Sequence, residues 1–234
     1  MIDMEFDWGF LGTGNYAQKL ATGVLTTLEL FGTAWVGGFI IALLIVALRA
    51  VPFKPLSMLM RLFVEYHRNV PTVVQIMVWY FGMPQLLPDD LRMWINRGQS
   101  EFLFATVALS LNVSAYFSED IRSGLRAIPH TQVEAGRSIG LSAVSVMRYV
   151  TVPQALRISV PPLLNRSLIL FKDTSLAMVI GVTELTYQVK AIENLTFRSF
   201  EVFAISTLIY LACSLLIMGL GAWFGKRFPP AFKV

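Results

Sequence analysis

The sequence predicts an all-α integral membrane protein with five transmembrane helices, and three observations lead there. Hydrophobic residues fill 55% of the 234 positions, charged residues only 15%, and the mean hydropathy is +0.61. Soluble domains carry about 25% charged residues. Mostly apolar stretches recur at about the 20 residues needed to cross a bilayer. Arginine and lysine collect at the ends of those stretches, as membrane proteins arrange them on one side.

Taken in order, the first stretch covers about residues 23–48 and is stopped by Arg49, Pro52 and Pro55. It is too long for the apolar core of a cleavable signal peptide, and acidic residues precede it (Asp3, Glu5, Asp7), so it is expected to stay in the membrane. The second covers about 56–81, with Arg61, Glu65 and Arg68 in its first half and Pro71 in its middle. A loop rich in proline and charge follows, with a short interfacial helix expected around Trp94. The third stretch is about 102–121. Then comes a polar island, residues 119–157, carrying Arg122, Arg126, Arg137, Arg148 and Arg157 against three acids. The fourth stretch, about 162–187, is interrupted by Lys172-Asp173-Thr174-Ser175. A loop of mixed charge leads to the fifth, about 202–224, and to a tail with Lys226, Arg227, Pro229, Pro230 and Lys233.

Five spans put the termini on opposite sides, and charge selects the orientation. With the N-terminus outside, the inner segments hold Arg49, Lys54, the island arginines, Lys226, Arg227 and Lys233. The reverse would send nearly all uncompensated cations outward. N-out, C-in is therefore expected, with the island in the cytoplasm. The chain reads as one transmembrane domain over 1–234, its core about 22–224 and its cytoplasmic loop about 122–154.

Several function classes drop out. The basic residues sit at the ends of apolar segments rather than on a soluble face, against nucleic-acid binding. Cys213 stands alone, and His67 and His130 lie far apart, so no metal site is expected. Leu220 occupies the place of the first glycine in a phosphate-binding loop ahead of Gly225-Lys226, and Arg227 follows, so no nucleotide hydrolysis is expected of this chain. No set of side chains suggests a nucleophile and its base.

Charges inside spans cost about 2.5–3.5 kcal/mol each on insertion scales and so need a reason. Arg61, Glu65, Arg68, Thr72, Gln75 and Trp79 fall on one helical face of the second stretch. Asn112, Tyr116, Glu119 and Ser123 repeat that pattern in the third, and Arg166 and Asp173 share a face in the fourth. One reading is that these groups neutralise one another and hold the bundle together. The other is that they line a water-accessible path, with Arg68, Thr72, Gln75, Asn112, Tyr116, Glu119, Lys172, Asp173, Thr174 and Ser175 as its candidates. Lys172 and Arg68 suit an anionic solute, and Glu119 and Asp173 do so only if already paired.

The island's core, Glu134-Ala135-Gly136-Arg137 closing at Gly140, with Val152-Pro153-Gln154-Ala155 beyond it, resembles the cytoplasmic loop of bacterial ABC-importer permeases. His67-Arg68-Asn69-Val70-Pro71 with Gln75 looks like the second-span motif of their polar amino-acid uptake branch. Asn112, Ala115-Tyr116, Glu119 and Arg122-Ser123-Gly124 look like its third-span motif, and Phe171-Lys172-Asp173-Thr174-Ser175-Leu176 like its fourth. Gly136 replaces a signature alanine, and Thr131 stands where a glycine commonly precedes Gln132.

The resemblance implies a short coupling helix, about residues 133–139, that seats on an ATP-binding subunit through Glu134, Ala135, Gly136, Arg137 and Gly140. It implies no cofactor on this chain, with ATP and Mg held by two partner ATP-binding subunits. A second permease subunit is also implied, a different chain being favoured over an identical copy, as is a periplasmic solute-binding protein. The setting is the bacterial inner membrane, in contact with lipid. The wording around Arg68-Asn69-Val70-Pro71 and Trp79-Tyr80 resembles the glutamate/aspartate members, while glutamine, histidine and basic amino acids stay open. The rival from another class is a stand-alone secondary transporter or channel, which would need neither the island nor five spans without inverted halves.

Overall fold

The computed structural model of the chain describes Gly9, Gly12 and residues 14–227, and every regular element among them is helical. Asp3, Glu5 and Asp7 at the N-terminus, and Pro229, Pro230 and Lys233 in the tail, lie outside the described residues. Three helices are long and apolar enough to cross a membrane: α1 (Tyr16–Ala50), α6 (Ser100–Arg126) and α11 (Ser199–Arg227). In their most apolar windows 56% of α6 is buried but only 11% of α11, which makes α6 the central helix and α11 peripheral.

Helix α1 docks on α6 through small residues. Ala34, Gly38 and Ala42 recur every fourth position and so share one face. Ala34 and Ala42 pack with Ala105, Ala108, Leu109 and Val113 of α6 in one buried cluster. Such residues let helix backbones approach where lipid supplies no hydrophobic drive. Trp35 stacks on Phe39 (5.2 Å between ring centroids), and its Nε1 donates to Ser167 Oγ at 2.8 Å, tying α1 to α9 (Val152–Asp173).

The second apolar stretch is a broken helix. It comprises α2 (Lys54–Asn69), an extended residue at Val70, α3 (Thr72–Met77), a π-helical turn over Val78–Gly82 and α4 (Met83–Leu86). The break means that Arg61, Glu65, Arg68, Thr72, Gln75 and Trp79 do not form one continuous stripe. Arg61, Glu65 and Arg68 are exposed, whereas Gln75 is buried. The expected short helix around Trp94 is α5 (Asp89–Asn96).

Both boundaries of the polar island move inward. α6 runs on to Arg126, and α9 begins at Val152 rather than near 162, so the segment outside the two long helices is 127–151. Pro153 sits in the first turn of α9, where a missing N–H costs nothing. Pro161 and Pro162 are carried inside the helix, as membrane helices tolerate when neighbours take up the freed groups. The segment holds α7 (His130–Ser138), α8 (Ala143–Val146) and a π-helical turn over Met147–Thr151.

At its other end α9 stops at Asp173 and tightens into 3-10 turns over Thr174–Ile180, ended by Gly181 at φ +94°. The predicted fourth stretch to 187 is therefore two structures. Beyond Gly181, α10 (Leu185–Thr196) occupies what reads in sequence as a charged loop. Its N-cap is Glu184, 0% exposed, whose carboxylate accepts the backbone N–H groups of Thr186 and Tyr187 and the Tyr210 hydroxyl. A carboxylate at a helix N-terminus satisfies orphan donors there. On the same helix the hydrogen bond from Lys190 holds the Glu193 carboxyl below the usual range.

Gly124 sets how closely α6 meets α9. A Cβ there would collide with Ser159 Oγ and lie 2.7 Å from the Ala155 carbonyl oxygen. Since the second contact is backbone, Gly124→Ala forces the helices apart. We expect a loss of about 1–3 kcal/mol, the cost of overpacking, read as a lower unfolding temperature in detergent.

Candidate functional site

The site starts from a missing proton. Pro71 has no N–H, so the His67 carbonyl loses its helical partner, and Val70 ahead of it is extended (φ −95°, ψ 132°), as a residue before proline favours. The released carbonyls are taken by side chains. Gln75 Nε2 donates to His67 O (3.0 Å) and to Val70 O (2.8 Å). From α6, Asn112 Nδ2 donates to His67 O (3.0 Å) and the Tyr116 hydroxyl to Arg68 O (3.2 Å). Gln75, Asn112 and Tyr116 thus spend hydrogen bonds on the break itself.

Beyond the break, Thr72 Oγ1 donates to Asp173 Oδ2 at 3.4 Å, joining α3 to the end of α9. Thr72, Asn112, Val113, Tyr116, Arg166, Ile169, Leu170 and Asp173 enclose a small cavity of about 60 Å³, room for a few waters. Arg166, one of its walls, lies over the Tyr116 ring (4.2 Å to the centroid), with its Nε 3.7 Å from Asp120 Oδ2. Arg68 approaches the same ring from 5.6 Å. The cavity therefore has a guanidinium on one wall and the Asp173 carboxylate on another, both from α9.

Other sequence candidates sit elsewhere. Glu119 turns toward α1 and pairs with Arg49 and with Arg122 (3.1 Å), holding α1 to α6. Lys172 is exposed and forms no ion pair among the described residues. Thr174 donates to Phe171 O (2.6 Å) and Ser175 to Lys172 O (2.7 Å), bonds that serve the tightened helix end. Arg166 and Asp120 belong to the site although neither is a sequence candidate. Their signal was the spacing: Arg166 lies seven residues before Asp173, and Asp120 lies eight after Asn112. Among the described residues no three His, Cys, Asp or Glu side chains gather as a metal site.

The second candidate region is the segment 127–151. α7 begins at His130, three residues before the expected 133, and ends in a Schellman arrangement. Gly140 N–H donates to Arg137 O (2.9 Å), Leu141 N–H to Gly136 O (3.2 Å), and Gly140 has φ +86°. Gly136 faces inward, where a Cβ would meet Val146 Cγ2 at 3.1 Å. Its small size serves packing inside the loop. Glu134, Ala135, Arg137 and Gly140 are exposed, and so is Ile139 at 78%.

A helical bundle with three helices long and apolar enough to cross a membrane, one segment broken at proline and polar groups buried beside that break is the build of a membrane-embedded subunit. The chain belongs to the family of binding-protein-dependent transport system inner membrane components, whose pattern it matches over residues 36–229. It is 30% identical over 227 residues to the glutamate/aspartate import permease protein GltJ of Escherichia coli K12, covering 93% of this chain and 92% of that one. It is 35% identical over 214 residues to the glutamine transport system permease protein GlnP of the same strain, covering 92% and 94%. Among solved structures, an amino acid ABC transporter with histidines superposes with a TM-score of 0.83 at 31% identity, covering 96% of this chain and 100% of that one. An inward-facing MetNI methionine ABC transporter shares the fold, with a TM-score of 0.74 at 18% identity over 92% and 99% of the two chains.

Proposed function

We propose that the chain is the permease subunit of an ATP-dependent importer of polar amino acids, with glutamate and aspartate as its substrates. The observation that carries the reading is the segment 127–151. Between two long helices it builds a short helix closed by Gly140 and turns Glu134, Ala135 and Arg137 outward, in a chain of a binding-protein-dependent family. That surface suits docking on an ATP-binding subunit, which would hold ATP and Mg. The complex contains two such subunits, a second and different permease chain, and an external solute-binding protein. The chain forms one transmembrane domain of five spans, of which α2–α4 is broken at Pro71. Its N-terminus is outside and the loop 127–151 cytoplasmic, an orientation that the charge bias supports.

The cavity beside α9 suits a zwitterion. Arg166 offers donors to a carboxylate, Asp173 an acceptor for an ammonium, and Tyr116 and Thr72 lie between. At about 60 Å³ it must widen to admit an amino acid, which fits an occluded state of a moving path. Arg68, over the Tyr116 ring, is a second guanidinium beside the cavity and could meet an acidic side chain. The second reading is glutamine, favoured by the 35% identity to a glutamine permease.

Reconstitution of the permease with its ATPase and binding protein in proteoliposomes tests both. ATP-dependent uptake of radiolabelled glutamate, unaffected by excess unlabelled glutamine, is expected. Uptake that ignores ATP would refute the importer reading, and preference for glutamine would refute the acidic one.

A further inference from the structure

The motif around Pro71 and the motif around Asn112 stand 41 residues apart, yet they form one structural unit. Helix α2 is interrupted at the point where Pro71 withholds a hydrogen, and nothing in the α2 backbone compensates. Two primary amides converge on the same oxygen instead: Gln75 Nε2 and Asn112 Nδ2 each lie 3.0 Å from His67 O. Both amides are buried, Gln75 at 1% and Asn112 at 7% exposure. The acceptors are backbone carbonyls, so both amides must present their NH₂ groups to the break.

The bend has a direct consequence at the cavity. Thr72 is the first residue after it, and the direction in which α3 leaves decides whether Thr72 Oγ1 reaches Asp173. Tyr116, one turn beyond Asn112 on α6, takes the next carbonyl, Arg68 O, while its ring carries Arg166. α6 runs on to Arg126, immediately ahead of the segment that carries α7. A displacement of α6 from that end therefore pulls on the donors that hold the bend.

We propose that Gln75 and Asn112 are positioning residues of the transport path. Their amide donors latch the backbone released by Pro71 and so set the angle at which α3 delivers Thr72 to Asp173. The transport role rests on the cavity reading above; the latch itself does not.

The test uses the complete importer, with spin labels at Leu59→Cys and Val78→Cys, both exposed positions on either side of the bend, in a Cys213→Ser background. Asn112→Leu keeps a similar size and removes the donor. It is expected to broaden the label distance and to lower Vmax/KM for uptake roughly tenfold, the scale of one lost buried hydrogen bond. Tyr116→Phe removes only the hydroxyl and is expected to lower uptake about two- to threefold with the complex fully assembled, so a folding failure of Asn112→Leu leaves this arm readable. Pro71→Ala returns a backbone N–H to the His67 carbonyl. It is expected to narrow and lengthen the label distance and to depress uptake in a complex at least as heat-stable as the parent. Adding Pro71→Ala to Asn112→Leu restores heat stability but not uptake, whereas a merely structural amide would be rescued in both.

An unchanged label distance in Asn112→Leu overturns the latch. A relaxed bend with parental uptake overturns its role in transport. Neither outcome depends on Arg166, whose substitution tests the cavity reading separately.

Discussion

Gly140→Val is expected to lower ATP-driven uptake by about thirtyfold or more, the effect of losing an interface hot spot, while the permease still folds and inserts. Gly140 sits at φ +86°, and nothing lies within 4 Å of where a Cβ would project, so the penalty is conformational rather than steric crowding by neighbours. An L-residue in the left-handed region costs about 1–2 kcal/mol, and a β-branched one is a genuine outlier there. The strain falls on the two hydrogen bonds that close α7, from Gly140 N–H to Arg137 O and from Leu141 N–H to Gly136 O. With these gone, the last turn of α7 frays and displaces the exposed Arg137, Ser138 and Ile139. The main packing partners of α7 are α8 and the π-helical turn over Met147–Thr151, within the same loop. A graded series follows: asparagine, which tolerates this conformation, should retain most uptake, alanine less, and valine least. Co-purification of the ATPase should fall in the same order. A Gly140→Val permease with parental uptake would show that the end of α7 takes no part in docking. Glu134→Arg, at an exposed position, should uncouple by charge alone without touching helix closure.

How much of this was legible follows from what sequence patterns encode. The apolar stretches report length and hydropathy, and α1, α6 and α11 stand where those predict. Gly140 was legible because a helix-ending glycine has one conformational reason to be there, and the Schellman bonds supply it. Pro71 announced a disturbance but not its form, since a proline can kink a helix or break it. The choice depends on whether partners for the freed carbonyls exist, and Asn112 and Tyr116 lie on another helix. The polar stripe of α6 was ambiguous for a geometric reason. A repeat of 3.6 residues puts position seven about 20° to one side of Asn112 and position eight about 80° to the other, so both fall within one broad polar stripe but toward different neighbours. Packing separates them: Glu119 turns to Arg49 of α1, and Asp120 to Arg166 of α9. α10 was hidden because its N-terminal signal is a buried glutamate, a residue that composition assigns to a surface loop.

Arg166→Gln is the second large effect. It is expected to reduce uptake about a hundredfold, about 2.7 kcal/mol at 1.36 kcal/mol per tenfold, chiefly through KM if the guanidinium binds the solute carboxylate before translocation. Arg166→Lys should recover little of it, because an ammonium can neither stack on the Tyr116 ring as a plane nor present two parallel donors. The structural alternative needs its own control, since Arg166 also faces Asp120, whose Oδ2 is buried without a hydrogen-bond partner. Removing the arginine leaves that carboxylate without its cation, and a destabilised complex would also lose uptake. The double variant Arg166→Gln with Asp120→Asn removes both charges together. It should return the unfolding temperature toward that of the parent while uptake stays at the level of Arg166→Gln. Recovery of uptake along with stability would reduce the pair to a strut between α6 and α9 and move the solute site away from this cavity. Persistent loss at parental stability leaves the guanidinium with a role beyond the fold, and Asp173→Asn then asks whether the opposite wall holds the ammonium. Loss of uptake for zwitterions, with transport of an N-acetylated analogue unchanged, is the expected answer.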